Sequence, residues 1–404
     1  MDKSSFKYYC SICKKEYAIT PDIMLCPDCK EDNMEGRPLK GVLKVKLPKS
    51  DKNKSLDNYD MFDYLPVEQQ YFADIPVGNT MLYSSANINK DTGYKNIYFK
   101  YEAGNPSGSL KDRASYLVSA FAKKFNIKNI TLASTGNAAS SMACIAASAD
   151  QKAIVFVPAS APKAKLIQCL QYGAELIPVD ADYDTAFDLS LHYSQVTGCL
   201  CRNTGYNPLT IEGKKTVAFE IAAQIKSDID YVFVPVGDGV ILSGVIKGFS
   251  DLYDAGLISK FPYVIAVQAE GSSFIHNAFK YGNYNLAYKA NTIADSISVN
   301  AARNAYCAVN DLKDIGGNTV TVSDEQILLA QKYLSEKSGL FCEPSSAAAM
   351  AGFFNIKNKI GLDKTIVILL TGSGLKDIIS AGKAIIFPKI YKPNLEFILS
   401  DKRI

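Results

Sequence analysis

From about residue 98 the chain alternates short apolar runs with amphipathic stretches, and no other feature narrows its fold so far. The run 97–101 (IYFKY) is β-prone, and 129–133 (NITLA), 153–157 (AIVFV), 175–179 (ELIPV), 231–236 (YVFVPV), 263–268 (YVIAVQ) and 365–370 (TIVILL) read as buried strands. The spacing predicts helices at 111–125, 137–149, 162–172, 184–196, 213–225, 240–254, 324–337, 344–354 and 374–384. Alternation on this scale predicts an α/β fold of parallel sheets with helices on both faces. Ligands of such sheets bind where loops leave the carboxyl ends of strands. At 404 residues the chain has room for two or three domains and a large core.

Composition excludes more than it suggests. Apolar residues make up 48% and charged residues 21%, as in ordinary soluble proteins, and no run approaches the length of a membrane span. A net charge of +3 points to neither a nucleic-acid nor an acidic surface partner. The amino terminus carries no apolar signal segment, and six of the cysteines are scattered as free thiols are, so a cytoplasmic protein is expected. The two histidines, His192 and His276, lie away from every motif, which argues against His-based triads and most catalytic metal sites.

The remaining four cysteines form Cys10-x-x-Cys13 and Cys26-x-x-Cys29, twelve residues apart. Each pair can hold two thiolates on one tight turn, and together they complete a tetrahedral zinc site. With four cysteines and no open position, the role expected is structural, in a small zinc ribbon. Redox pairs, nucleic-acid binding and two disulfides are the alternatives. Residues 41–58, Lys- and Ser-rich with Pro48, read as a solvated connector, and 59–96 as loop-rich.

Four strand-to-helix junctions hold unusual small and polar residues. The first, Gly104-Asn105-Pro106-Ser107-Gly108-Ser109, breaks the run at 97–101 and leads into a helix with Lys111 in its first turn. A cation at a helix amino terminus is electrostatically odd. Desolvation and the positive helix end both favour the neutral amine that a Schiff base needs. The plain alternative is a solvated surface lysine. The second junction is Ser134-Thr135-Gly136-Asn137, suited to a carboxylate or phosphate, or simply to capping the next helix. The third is Gly237-Asp238-Gly239-Val240-Ile241, whose glycines let backbone approach an anion, without Walker or dinucleotide spacing. The fourth is Thr371-Gly372-Ser373-Gly374.

Together the junctions offer an amine, two anion cradles and a hydroxyl-rich strand end. That inventory suits pyridoxal phosphate (PLP), which needs a Schiff-base lysine, a phosphate cradle and a partner for its ring nitrogen. A hydroxyl in that last place favours elimination and replacement at Cβ or Cγ.

The motifs NPSGSLKDRAS, ASTGNAASSMA, VPVGDGVILSGVIKGF and LLTGSGLKD, with IADSISVNAARN and FCEPSSAAAMAGF, resemble those of the tryptophan-synthase-β-like (fold type II) PLP enzymes, and among them the threonine synthases. The resemblance runs from about residue 75 to 385 in the family's order, and the amino-terminal ribbon matches some members. It implies two doubly wound αβα domains behind the zinc ribbon: ribbon 1–40, a large PLP-binding domain from 41–110 and 205–404, and a small domain 111–204. It implies Lys111 as the Schiff-base lysine and proton shuttle, Asn137 at the PLP 3′-oxygen, and Gly237, Asp238, Gly239, Val240 and Ile241 around the cofactor phosphate. Thr371 would face the ring nitrogen, Ser134, Thr135 and Gly136 the substrate carboxylate, and Ser107 and Ser109 the substrate side chain. The implied reaction turns O-phospho-L-homoserine and water into L-threonine and phosphate, in a homodimer with a small amino-acid substrate and no nucleic-acid or membrane partner.

Departures bear on the substrate. The segment NPLTIEGKKT resembles the family's NPYRIEGQKT, but Thr210 stands where an arginine usually helps bind the substrate phosphate. Lys214 or Lys215 would compensate unless both are solvated. Val240 and Ile241 replace Gly and Asn, Ser373 a histidine, and Leu110 a phenylalanine. Two rival readings remain. One is another PLP reaction, a cysteate synthase-like β-replacement on phosphoserine or a threonine/serine ammonia-lyase. The other is a scaffold or nucleic-acid-binding protein led by its ribbon, in which Lys111 carries no cofactor.

Overall fold

Three sheets divide the chain. The computed structural model describes residues 3–48, 55–58, 60–285, 289–391 and 393–400. Near the amino terminus, β1 (Lys7–Cys10), β2 (Glu16–Tyr17) and β3 (Leu43–Lys46) make an antiparallel sheet in the order β2-β1-β3. Next come β4 (Met81–Tyr83), α1 (Ala86–Thr92), β5 (Asn96–Tyr101) and α2 (Lys111–Lys124). The chain then builds β6 (Asn129–Ala133), α3 (Asn137–Ser148), β7 (Lys152–Pro158), α4 (Lys163–Gln171), β8 (Glu175–Val179), α5 (Tyr183–Thr197) and β9 (Leu200–Cys201). These strands form an all-parallel sheet ordered β8-β7-β6-β9.

After α6 (Leu209–Ile225) follow β10 (Tyr231–Pro235), α7 (Val240–Asp254), β11 (Tyr263–Ala269), α8 (Phe274–Tyr281), α9 (Ala305–Asp314) and β12 (Asn318–Val322). The chain continues through α10 (Asp324–Ser338), α11 (Pro344–Ile356), β13 (Thr365–Leu370), α12 (Ile378–Gly382) and α13 (Leu395–Ser400). The third sheet runs β12-β11-β10-β13-β5-β4, with only β4 antiparallel. Its register aligns Phe99, Ile368, Phe233 and Ile265 in one buried row, which packs with Phe353 of α11. Buried on both faces, these strands are the near-continuous apolar runs of the sequence.

Among the described residues, no helix is long and apolar enough to cross a membrane. The ribbon sheet shares a core with α2 and the small parallel sheet, since Phe6, Tyr8, Leu43 and Val45 cluster with Leu117 and Phe121 of α2 and with Ile130, Leu132 and Val155 of the sheet.

Two expectations are corrected. Residues 43–46 are a strand and not part of a solvated connector: Leu43 and Val45 are buried, and the Lys44 ammonium makes a buried ion pair with Asp311. Residues 49–54 of that stretch lie outside the described residues. The stretch 59–96 is loop-rich, as expected, with the short β4 and α1 within it. The helix expected at 374–384 is a 3₁₀ turn, Gly374–Lys376, followed by the short α12. Asp377 sits between them at φ −147°, ψ 67°, outside helical geometry, and its carboxylate accepts from the Ser380 N–H to start the second piece.

Candidate active site

Strand order brings three of the four junctions together. Strands β10, β13 and β5 are parallel neighbours, so the loops after them leave the same sheet edge side by side. The loops after β5 and β13 are stitched directly: the Leu110 N–H donates to the Thr371 carbonyl at 2.8 Å, and the Ser373 N–H to the Gly108 carbonyl at 3.0 Å. Gly108 takes φ +86° in this stitch, a conformation in which most side chains would be strained.

Lys111 is the first residue of α2, and its ammonium has no hydrogen-bond partner among the described residues. The residue is half-buried, with protein close around the amine. Burial pushes its pKa below the usual lysine range, opposed by the charges of Asp238 and Glu343 and helped by Arg202.

Two devices fix α2. Gly213 of α6 lets the helices touch, because a Cβ there would lie 2.3 Å from the Arg113 carbonyl oxygen and 2.7 Å from the Ala114 Cα. The Arg113 guanidinium donates to Glu102 at 2.6 and 2.8 Å and to both Glu220 oxygens at 2.7 Å. Lys100 joins Glu220 at 2.7 Å. Burial pushes the Glu220 carboxyl up, but Arg113 and Lys100 outweigh it and bring it down to about 2.

The fourth junction, after β6, faces these loops from the other sheet. Ser134, Thr135 and Gly136 lead into α3, whose amino terminus has no side-chain cap, and the Ser134 hydroxyl accepts from the Gly136 N–H at 3.2 Å. The Asn137 amide donates to the two Glu343 oxygens at 3.1 and 2.9 Å and to the Ser296 hydroxyl at 3.1 Å. Together with Ser140 and Lys376, these residues line a cleft of about 470 Å³. The Lys376 ammonium crosses it to Ser140 and Gln168, at 3.0 and 2.6 Å.

Other expected residues fall near by. The Thr371 hydroxyl meets that of Ser346 at 3.0 Å. Ser107 is turned inward, its hydroxyl and N–H both donating to Asp112. The Ser109 hydroxyl is buried without a partner among the described residues. In the loop after β10, a Cβ on Gly237 would lie 2.9 Å from the Ile297 Cα. Gly239 takes φ +93° and starts α7 with no side-chain cap. The Val240 N–H at this helix start donates to the Asp238 carboxylate at 3.1 Å, and the Ser109 Oγ, Lys214 Nζ, Arg202 Nη2 and Asn304 Oδ1 atoms are buried without partners among the described residues, a polar interior that suits a polar, phosphate-bearing group.

Sequence reasoning gives no role to Glu343 or Arg202, and offers Lys214 only as one of two lysines that would stand in for the missing arginine. Glu343 lay within a quoted motif but had no role there, and its carboxylate before Pro344 reads locally as an ordinary helix start. Lys214 and Lys215 are both fully buried, so neither is solvated. Lys215 pairs with Glu212 and Asp251, at 2.7 and 2.9 Å, whereas Lys214 is unpaired.

In the ribbon, the Cys10, Cys13, Cys26 and Cys29 sulfurs all lie within 4.8 Å of one another. Cys10 and Cys29 are 3.8 Å apart, and Cys13 and Cys26 3.6 Å. A tetrahedron with ligand bonds of about 2.3 Å has edges of roughly 3.8 Å, so the four thiols fit one zinc-sized ion.

Comparison with known proteins agrees with this geometry. Residues 74–372 match the family model described as pyridoxal-phosphate dependent enzyme. A threonine synthase of Methanocaldococcus jannaschii is 36% identical over 322 residues, 78% of this chain and 79% of that protein. One from Methanosarcina acetivorans is 34% identical over 78% of each chain. Among solved structures, maize serine racemase superposes with a TM-score of 0.65 at 25% identity, over 74% of this chain and 88% of that one. The processed form of threonine deaminase isoform 2 from Solanum lycopersicum gives 0.68 at 23% identity, over 84% and 98%, and so shares the fold. The chain belongs to the family of pyridoxal-phosphate dependent enzymes.

Proposed function

We propose that the protein is a threonine synthase, converting O-phospho-L-homoserine and water to L-threonine and phosphate. The carrying observation is an unpaired, desolvated Lys111 where three loops meet, in a chain 36% identical to a threonine synthase. Bound PLP supplies the electron sink that makes the substrate Cα proton removable.

This chain's own groups do the rest. Lys111 anchors the cofactor, and its amine, kept neutral by burial, takes the Cα proton and returns it along the substrate. Asn137 donates to the cofactor 3′-oxygen, its amide oriented by Glu343 and Ser296. Thr371 faces the ring nitrogen, steadied by Ser346. Gly237, Asp238, Gly239, Val240 and Ile241 hold the cofactor phosphate at the start of α7. Ser134, Thr135 and Gly136 receive the substrate carboxylate, and Ser107 and Ser109 border its side chain. Phosphate then leaves from Cγ and water adds at Cβ. The same reading takes the protein as a cytoplasmic homodimer with structural zinc in its ribbon.

One observation favours a second reading. The Thr210 hydroxyl donates to the Asn207 carbonyl at 2.7 Å, so that position offers the substrate neither charge nor a free donor. A β-replacement on phosphoserine or an ammonia-lyase reaction would need no arginine there. Incubating the holoenzyme with phosphohomoserine, with phosphoserine plus sulfite, and with threonine separates them. Phosphate and threonine released together in the first incubation support the proposal. Cysteate from the second or ammonia from the third, with the first inert, would replace it.

A further inference from the structure

Two lysines line the active-site cleft, and only one of them is neutralised. The cleft, about 470 Å³, is of small-ligand size and runs past Gly136, Asn137 and Ser140 at the start of α3. Within it the Lys165 ammonium pairs with the Asp295 carboxylate at 2.7 Å. The Lys376 ammonium instead donates to two neutral acceptors, the Ser140 hydroxyl at 3.0 Å and the Gln168 carboxamide oxygen at 2.6 Å. An ammonium carries three N–H donors, so one is left without an acceptor among the described residues.

The carboxylates nearby are committed to other groups. Asp295 is held by Lys165, and Asp377 accepts from the Ser380 N–H. Glu343 accepts from Asn137 and Ser296, and Asp112 from the hydroxyl and N–H of Ser107. Lys376 is also pressed against the loop that precedes Lys111. A Cβ on Gly108 would lie 3.2 Å from the Lys376 Cε, and Gln168, which holds the ammonium, donates to the Ser107 carbonyl at 3.2 Å. The ammonium therefore stands between the 107–109 loop and the start of α3, the two segments proposed above to meet the substrate.

We infer that Lys376 binds the phosphate group on the side chain of the amino-acid substrate. The identity of that substrate rests on the function proposed above, but a phosphate monoester is common to phosphohomoserine and to the phosphoserine of the second reading. A phosphate oxygen gives the ammonium a charged acceptor where it now has neutral ones, and such charge-assisted hydrogen bonds are about twice as strong. The Ser140 hydroxyl and the Gln168 amide, already beside the ammonium, are donors for the remaining phosphate oxygens. Lys376 thereby supplies the positive charge that Thr210, its hydroxyl spent on the Asn207 carbonyl, does not.

The test uses the holoenzyme, its Lys376→Gln variant and, as a control, Lys165→Gln, which removes the same charge from the paired lysine of the cleft. Each is titrated with the phosphonate isosteres of O-phospho-L-homoserine and O-phospho-L-serine and with L-homoserine, which lacks the phosphate, followed by the change in cofactor absorbance. PLP affinity is measured separately on the apoprotein. The expected result in Lys376→Gln is isostere binding weakened about ten- to a hundredfold, with L-homoserine binding, PLP affinity and Tm unchanged. Lys165→Gln should stay within about threefold of the wild type. An equal loss for L-homoserine would overturn the inference by assigning Lys376 to the amino-acid end of the substrate, and an equal loss in Lys165→Gln by assigning the effect to the overall charge of the cleft. Unchanged isostere binding, or weakened PLP binding, in Lys376→Gln would overturn it too. If the wild type does not turn over phosphohomoserine but binds the phosphoserine isostere in a Lys376-dependent way, the threonine synthase reading falls while the phosphate site stands.

Discussion

The Asn137 amide nitrogen lies 2.9 and 3.1 Å from the two carboxylate oxygens of Glu343, 206 residues further along the chain. Burial pushes the Glu343 carboxyl above its usual range, only partly opposed by the donors Asn137 and Ser296. A carboxyl raised in the folded state binds protons more tightly there than in the unfolded chain. Its ionisation therefore costs stability as pH rises from the unfolded carboxyl range through the folded value. Glu343→Gln should abolish that loss, so that apoprotein Tm falls less with rising pH than in the wild type. The same variant turns an amide toward Asn137 and should lower kcat by about tenfold or more. Parallel melting curves across pH, with kinetics on the holoenzyme, check both effects.

Gly213 should tolerate no side chain. Its added Cβ would meet backbone of α2 at 2.3 and 2.7 Å, and backbone cannot swing aside. Gly213→Ala should cost about 1–3 kcal/mol or more, read as a lower urea midpoint at unchanged slope. Because α2 starts with Lys111, PLP affinity should fall as well. Normal PLP binding at normal stability would show that the contact between the helices is not needed.

These close approaches mark where the sequence stops being legible. Strands such as β10 were plain in it, because burial on both faces writes a continuous apolar run. The edge strand β12 (NTVTV) was missed, since it alternates polar and apolar residues and only Thr319 and Val322 are buried. Strand β3 was hidden by its lysines, and the partner that buries Lys44 is Asp311, 267 residues away. The four junctions could be read locally because small and hydroxyl residues cluster there. Glu343 and Arg202 could not, nor could the choice between Lys214 and Lys215. Whether a buried charge is paired depends on which helices meet, and Lys214 and Lys215, adjacent in sequence, have opposite surroundings.

The ribbon should stabilise the body through β3. Its Val45 N–H donates to Glu212 of α6 at 2.7 Å, and Leu43 and Val45 join the core of the small sheet. Stripping metal with a chelator should therefore lower Tm by about 5 °C or more, with zinc restoring it. Cys13→Ser, at an exposed member of the four thiols, should do the same without chelator. An unchanged Tm in both would show that no metal braces this sheet.

The central claim is that Lys111 holds the cofactor and drives the chemistry. The most direct measurement is the visible absorbance of apoprotein titrated with PLP, for the wild type and for Lys111→Ala, followed by addition of O-phospho-L-homoserine. The account predicts a visible Schiff-base band in the wild type that is absent in the variant, with phosphate and L-threonine released in equal amounts by the wild type alone. A wild type that forms no band, or a Lys111→Ala protein that forms the band and turns over substrate, would contradict it.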